Sequence, residues 1–288
     1  MTQVAGKTVL ITGAGMGMGK RHAERAVERG AGRVILWDIN EQAMAETAEP
    51  LRRSGAKVDT YVVDVSHVDQ IEQAAASVLD DVGAVEVLFN NAGIVTPGDF
   101  MSHSAQDIER TIRVNTLGIM HVARTLLPAM VQAPAAHIVN IASASALLPL
   151  PYGSVYAASK WAAYCWSESL RIELEDMHPT VKVTTVCPSF VATGMFEGAT
   201  APRTTRFLTT DEIVDAIWKG LEKNKAVVVA PPMANIVLPL RAFLPLSIFD
   251  FLARKVFLSY SAMKTLKGRE VVKSNAKESP IPMSRSAR

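Results

Sequence analysis

Short apolar runs rich in β-branched residues alternate with longer helical patterns through the first two-thirds of this chain, and that alternation leaves few folds open. Strand candidates are Thr8–Thr12, Arg33–Trp37, Lys57–Val63, Val85–Asn90, Ala136–Ile141 and Lys182–Cys187, with Ala226–Ala230 as a last buried strand. Between them the spacing predicts helices near Lys20–Arg29, Glu41–Ser54, Val68–Val82, Ala105–Gln132, Val155–Met177 and Thr210–Asn224. Strand, helix, strand in repetition implies parallel strands with crossover helices on both faces. The runs are apolar throughout, as they must be when both faces of a sheet are covered. The expected fold is therefore α/β: a doubly wound parallel sheet flanked by helices on both faces.

A chain of 288 residues is long enough for one such domain with a large core. No internal repeat or linker divides it. We expect a catalytic domain over 1–263, with an apolar helical extension from about 231, and a disordered basic tail over 264–288. With 30 basic against 28 acidic residues, nothing calls for a nucleic-acid partner. Cys165 and Cys187 form no disulfide framework, and no metal-ligand spacing occurs. The first strand starts at once, leaving no room for a signal peptide. The apolar stretch 226–258 is interrupted by Asn235, Arg241, Asp250, Arg254, Lys255 and four prolines, so it falls short of the ~20 residues a spanning helix needs. These features predict a cytoplasmic protein.

Directly after the first strand comes Thr12-Gly13-Ala-Gly15-Met16-Gly17-Met18-Gly19, opening onto a helix. Glycines there permit a tight turn and let the backbone approach a pyrophosphate seated on the positive helix N-terminus. Asp38 closes the second strand, where a carboxylate can bind a ribose diol. It would hydrogen-bond the 2′-hydroxyl of NAD and repel the 2′-phosphate of NADP. Met16 and Met18 stand where a basic residue would assist NADP, so NAD (NADH) is the expected cofactor and NADP the less favoured one. Asp38 could instead cap the helix from Glu41, a role equally open to Asn40.

Tyr156 and Lys160 lie one helical turn apart, on one face. An ammonium beside a phenol favours the phenolate and lowers a pKa that is ordinarily near ~10. Such a pair can act as an acid/base group near neutral pH.

These residues resemble the short-chain dehydrogenase/reductase family in its single-domain, Rossmann-like form, over roughly 4–230. The motifs are Thr12-Gly13-x-x-x-Gly17-x-Gly19, Asp64-Val65, Asn90-Asn91-Ala92-Gly93, Asn115, Ser143, Tyr156-x-x-x-Lys160, and Pro188 with Thr193. The resemblance implies that Asp64 and Val65 hold the adenine and that Asn91, Ala92 and Gly93 line the cofactor cleft. It makes Ser143 the orienter of the substrate oxygen, thirteen residues before Tyr156 and so preferred to its neighbour Ser145. Asn115 would distort its helix and hold a water in a relay to Lys160, and Thr193 would meet the nicotinamide carboxamide. Ile39, Ser189 and Val191 complete the implied cofactor contacts with Gly15, Met16 and Met18. Ser189 replaces the family's usual glycine after Pro188. The family also implies a homodimer or homotetramer built on the helices 105–132 and 155–177, with Trp161, Trp166 and Leu170 in that seam or in the core.

Substrate contacts are expected from Ile94–Met101, Ala144–Tyr152 and the lid-like segment Phe190–Leu208. Their content is apolar, including Ile94, Phe100, Leu148, Leu150, Tyr152, Met195 and Phe196, which suits a hydrophobic alcohol or ketone. The run Val34–Asn40 and the long apolar extension resemble the retinol and 17β-hydroxysteroid dehydrogenase branch, whose members act on lipophilic alcohols. Apolar residues mixed with cations over 231–260 fit a peripheral, interfacial helix, a cap on the cleft, or a dimer seam; burial within the assembly is preferred. Two other readings stand beside this one. They are the same chemistry on a polar hydroxy or keto substrate, and a non-catalytic NAD-binding protein of lipid surfaces.

Overall fold

In the computed structural model, which describes residues 1–203 and 205–268, seven parallel strands form one sheet in the order β3-β2-β1-β4-β5-β6-β7. The strands are β1 Thr8–Thr12, β2 Arg33–Asp38, β3 Val58–Val62, β4 Val87–Asn90, β5 Ala136–Ile141, β6 Val181–Pro188 and β7 Val227–Ala230. The helices are α1 Gly17–Glu28, α2 Glu41–Arg53, α3 Val68–Val82, α4 Ala105–Ile112, α5 Ile119–Met130, α6 Ser154–Met177 and α7 Thr210–Glu222. In the extension, α8 spans Val237–Phe243 and α9 spans Leu246–Phe251.

Successive side chains on a strand point to opposite faces, and this sheet uses both. Val9, Ile11, Val34 and Leu36 pack with Met44 and Trp218 on one side. Leu10, Ile35 and Trp37 pack with Ile71, Val78, Leu126 and Leu174 on the other. The doubly wound expectation is thus met strand by strand. Strand order reverses between β1 and β4, and in open parallel sheets ligands bind beyond the carboxyl ends of the strands at such a reversal.

Three departures from the expected elements have physical causes. First, α1 begins at Gly17, because the glycine turn runs straight into it. Second, the helix expected over 105–132 is interrupted by a wide turn at Arg113–Gly118. Asn115 diverts its side chain to the backbone of Ile94. Gly118 lies so close to the loop after β3 that a Cβ would sit 2.7 Å from the Val65 carbonyl oxygen. Third, the tail expected from 264 is packed over its first five residues. Lys267 and Gly268 donate their N–H groups to the Glu197 carbonyl at 2.8 and 3.2 Å. Residues 269–288, the rest of that expected tail, lie outside the described residues.

The extension forms a small cluster of its own, with Phe249, Ala253 and Tyr260 packed against Val237, Leu240 and Leu244. Among the described residues no helix is long and apolar enough to cross a membrane.

Candidate active site

All the loops expected to carry chemistry leave the carboxyl ends of the strands. Thr12 closes β1, and its hydroxyl accepts from the N–H groups of Asn91 and Ala92, both at 3.0 Å. The Asn91 side-chain amide donates back to the carbonyls of Thr12 and Gly13 at 2.9 and 3.1 Å. This knits the glycine turn to the segment after β4. Gly13 has φ +65°, and a Cβ there would stand 2.9 Å from the Ala92 Cα. At Gly19 a Cβ would meet the Gly13 carbonyl oxygen at 1.9 Å, so no other residue fits the first turn of α1. Met16 precedes α1 in extended conformation, and Met18 packs partly buried on the core.

Asp38 closes β2, buried, with its two carboxylate oxygens accepting from Gly15 N at 2.7 Å and Asn40 N at 2.9 Å. Asn40, not Asp38, caps α2 by accepting from Ala43 N at 3.0 Å. The alternative capping role for Asp38 is therefore already filled. Ile39 beside it is half exposed. Asp64 turns one oxygen to Ser66 N and Oγ at 2.9 and 2.7 Å, closing the turn into α3, while Val65 is buried beneath Gly118. At the far side Pro188 ends β6, and Ser189 N donates to the Ala230 carbonyl at 2.7 Å. Val191 is buried, and Thr193 stands over Gly17, 3.2 Å from where a Cβ would be. The glycine turn, the α1 N-terminus and Asp38 thus line the carboxyl edge of the sheet with the donors and the carboxylate that a dinucleotide needs, and Thr193 rests against Gly17.

The second cluster stands at the ends of β4 and β5. Ser143 follows β5 in extended conformation, buried, with its hydroxyl accepting from Ser145 N at 3.1 Å. Tyr156 lies on the first turn of α6 and Lys160 on the next, both buried. The Lys160 Nζ donates to the Ile141 carbonyl at 2.9 Å and lies 6.0 Å from the centre of the Tyr156 ring. Asn115 clamps Ile94 through both backbone groups at 2.9 Å and donates to Ser159 Oγ at 3.0 Å. Gly93 stands beside Asn115 and Lys160. A Cβ there would be 3.3 Å from Asn115 Oδ1 and 3.4 Å from Lys160 Nζ, so Gly93 brings the backbone close to both groups.

The electrostatics differ from the expectation for the tyrosine. Burial pushes the Tyr156 phenol up to about 12, and a hydrogen bond with Ser143 pulls only partly against it. Burial also depresses Lys160 to about 8. The Lys160 ammonium is turned toward the Ile141 carbonyl, so desolvation outweighs its pull on the phenol. Both groups therefore stand nearer to neutral than the isolated pair would.

Two further residues adjoin this cluster: Cys187, which had no role assigned from sequence, and Phe196, expected on the lid. Cys187 is buried against the Ser143 N–H, and burial holds its thiol up at about 12. Its place immediately before Pro188 was the only cue. Phe196 sets its edge on the Tyr156 ring, with centroids 5.9 Å apart, and is itself packed edge-on to Phe190. The lid thereby closes directly over the tyrosine. Among the described residues no group of side chains is arranged to hold a metal.

A glycine turn at the strand-order reversal, facing a buried Ser–Tyr–Lys cluster across one sheet edge, defines an oxidoreductase that works with a nicotinamide dinucleotide. The chain belongs to the short-chain dehydrogenase family, whose model ("short chain dehydrogenase") matches residues 7–204. It is 38% identical over 243 residues to human 17-beta-hydroxysteroid dehydrogenase 13, covering 84% of this chain and 80% of that protein. Human estradiol 17-beta-dehydrogenase 11 is 34% identical over 263 residues, covering 90% of this chain and 86% of that one. Among solved structures, a short-chain dehydrogenase/reductase from Burkholderia phymatum in complex with NAD superposes with a TM-score of 0.78 at 31% identity. It covers 84% of this chain and 95% of its own. One from Burkholderia cenocepacia J2315 in complex with NADP gives 0.74 at 26%, covering 88% and 99%.

Proposed function

We propose that this enzyme interconverts a lipophilic alcohol, of steroid, retinoid or long-chain type, and its carbonyl with NAD. The observation that carries the reading is the convergence of Ser143, Tyr156 and Lys160 at the mouth of the Thr12–Gly19 turn. NAD supplies the hydride-accepting carbon; Thr12–Gly19, Asp38, Ile39, Asp64, Val65, Asn91–Gly93, Pro188, Ser189, Val191 and Thr193 would hold it. Both NAD- and NADP-bound structures share this fold, so the preference rests on Asp38, whose carboxylate repels a 2′-phosphate.

Tyr156 exchanges the proton with the substrate oxygen. Ser143 donates to that oxygen and steadies its charge. Lys160 offsets charge on Tyr156 and would pass protons toward Asn115; Lys160 and Asn115 both lie beside Gly93. With the phenol held high by its surroundings, Tyr156 is a ready acid for carbonyl reduction. For alcohol oxidation it needs added positive charge nearby, which an oxidised nicotinamide would bring. The apolar lid and the names of the relatives support a lipophilic substrate.

The surface supports a homodimer or homotetramer. A groove of about 520 Å³ on α5 and α6, lined by Met120, Ala123, Leu127, Val131, Trp166 and Leu170, suits a second copy. Peripheral lipid contact through 231–260 in the cytoplasm completes the reading. The test is a panel of steroids, retinol, long-chain alcohols and sugars with NAD, followed by NADH absorbance. Tyr156→Phe should lower turnover by at least about 10²- to 10⁴-fold with NADH affinity nearly intact. An active Tyr156→Phe enzyme would rule the assignment out.

A further inference from the structure

Three loops were expected to wall the substrate cleft, and one segment of the extension touches or adjoins all of them. On the lid, Thr200 N donates to the Ala262 carbonyl at 2.9 Å and Arg203 N to the Phe257 carbonyl at 2.9 Å. In the other direction, Lys267 N and Gly268 N donate to the Glu197 carbonyl. The Thr265 hydroxyl donates to the Gly198 carbonyl at 2.6 Å. Gly198, at φ +82°, is packed so closely that a Cβ would stand 2.4 Å from the Thr265 carbonyl oxygen. At the loop before α6, the Met263 Cε lies 3.4 Å from where a Cβ of Gly153 would be. On the loop after β4, a Cβ of Gly268 would sit 2.7 Å from Pro97 Cγ.

The same segment is anchored at its start and sealed in its middle. Tyr260 is buried in the extension's own cluster, and its hydroxyl donates to Asp250 at 2.7 Å. Ala262, Met263 and Leu266 are buried although no strand or long helix holds them. A stretch so poor in regular structure and so tightly bonded to a lid is a fastening. Because Phe196 of that lid rests on Tyr156, the fastening reaches the chemistry.

We propose that Ser259–Gly268 is the latch and fourth wall of the substrate cleft, with Met263 limiting the size of the group that reaches Tyr156. The proposal rests on the catalytic reading of that cleft. Substrate admission then requires the lid and the latch to lift together, since three backbone bonds and the Thr265 hydroxyl join them and each would be broken by either moving alone. Met263 is long and unbranched, a side chain that fills gaps without fixing one shape. Its shortening opens space beside Gly153, three residues before Tyr156.

Hydrogen exchange on the full chain tests the latch without needing a substrate. The amides of Thr200 and Arg203 should open at the same rate as those of Lys267 and Gly268. Thr265→Val, at an exposed hydroxyl, should quicken both sets by up to roughly tenfold, the equivalent of about 1.4 kcal/mol. Lid amides that exchange independently of the latch, or are indifferent to Thr265→Val, would overturn it. Met263 is tested with NAD and straight-chain alcohols of increasing length beside a steroid alcohol. Met263→Ala should lower KM for the bulkiest members relative to the smallest and so change the ranking by chain bulk, while Met263→Leu, nearly volume-conserving, keeps the wild-type ranking. An unchanged ranking in a folded Met263→Ala enzyme refutes the role of that residue. If wild-type protein turns over none of these alcohols, the functional reading fails, and the exchange rates still decide the latch.

Discussion

Asp38 accepts two backbone N–H groups and still turns a full negative charge to the end of the cleft. A carboxylate has room for further donors on each oxygen, so a ribose diol can be added without breaking either bond. Asp38→Ala removes the charge that a 2′-phosphate would meet. The ratio of kcat/KM for NADP over NAD should rise by about tenfold or more, a change of roughly 1.4 kcal/mol. A wild-type enzyme that already prefers NADP would overturn the choice of NAD. At this scale the sequence was informative wherever spacing alone set the geometry. Tyr156 and Lys160 share a face because four residues make about one turn, and Ser143 meets Tyr156 because β5 ends and α6 begins on the same edge. The direction of the tyrosine's pKa was not legible. A neighbouring charge can be counted in a sequence, whereas the desolvation that outweighs it depends on what packs overhead.

Between elements, α1 and α7 are joined twice over. Arg21, Arg25 and Arg29 step along one face of α1 and reach Asp211, Asp215 and Glu222 of α7 at 2.5, 2.5 and 2.6 Å. Beneath them His22 accepts from Trp218 Nε1 at 3.0 Å and stacks on Phe89 of β4. The exposed ion pairs contribute little each; the buried histidine matters more. Desolvation holds His22 and His137 near 3, well below the ordinary value of an unfolded chain. The unfolded state therefore binds more protons between about pH 6.5 and 3, and stability is complete above that window and lost as pH falls through it. Each histidine should withdraw about 2–3 kcal/mol between roughly pH 7 and 4.5. His22→Gln keeps an acceptor for Trp218 and should remove its share of that slope in urea titrations. An identical slope in the variant would show that His22 is not the group being protonated. The regular elements were legible because both faces of the sheet impose unbroken apolar runs. The wide turn at Arg113–Gly118 was legible only through resemblance, since its cause is Asn115 pairing with Ile94, a contact between distant parts of the chain.

On the scale of the whole molecule, two apolar surfaces stand out among the described residues, and they differ in charge. The α5–α6 groove is flanked by Arg124, itself 3.5 Å from Glu72, a balanced surface suited to its own copy. The extension is different. Met233, Ile236, Phe243, Leu246 and Phe251 are each 60% exposed or more. Arg241, Arg254, Lys255, Lys264 and Lys267 face a single acid over 232–268, Asp250, which is bonded to Tyr260. A second copy of so cationic a face would repel the first, whereas an anionic bilayer surface attracts both its side-chain types. This shifts the balance away from the burial preferred on sequence grounds, which could not separate Phe249, turned inward, from Phe243 and Phe251, turned out. The two surfaces should then fail independently. Trp166→Glu with Leu170→Glu should reduce the assembly to monomers in sedimentation while leaving flotation with phosphatidylserine vesicles intact. Phe243→Ser with Phe251→Ser should abolish flotation with the assembly unchanged, and raised salt should weaken it in the wild type. Loss of the oligomer in the phenylalanine variant, with flotation absent from the wild type, would make the extension a subunit seam instead.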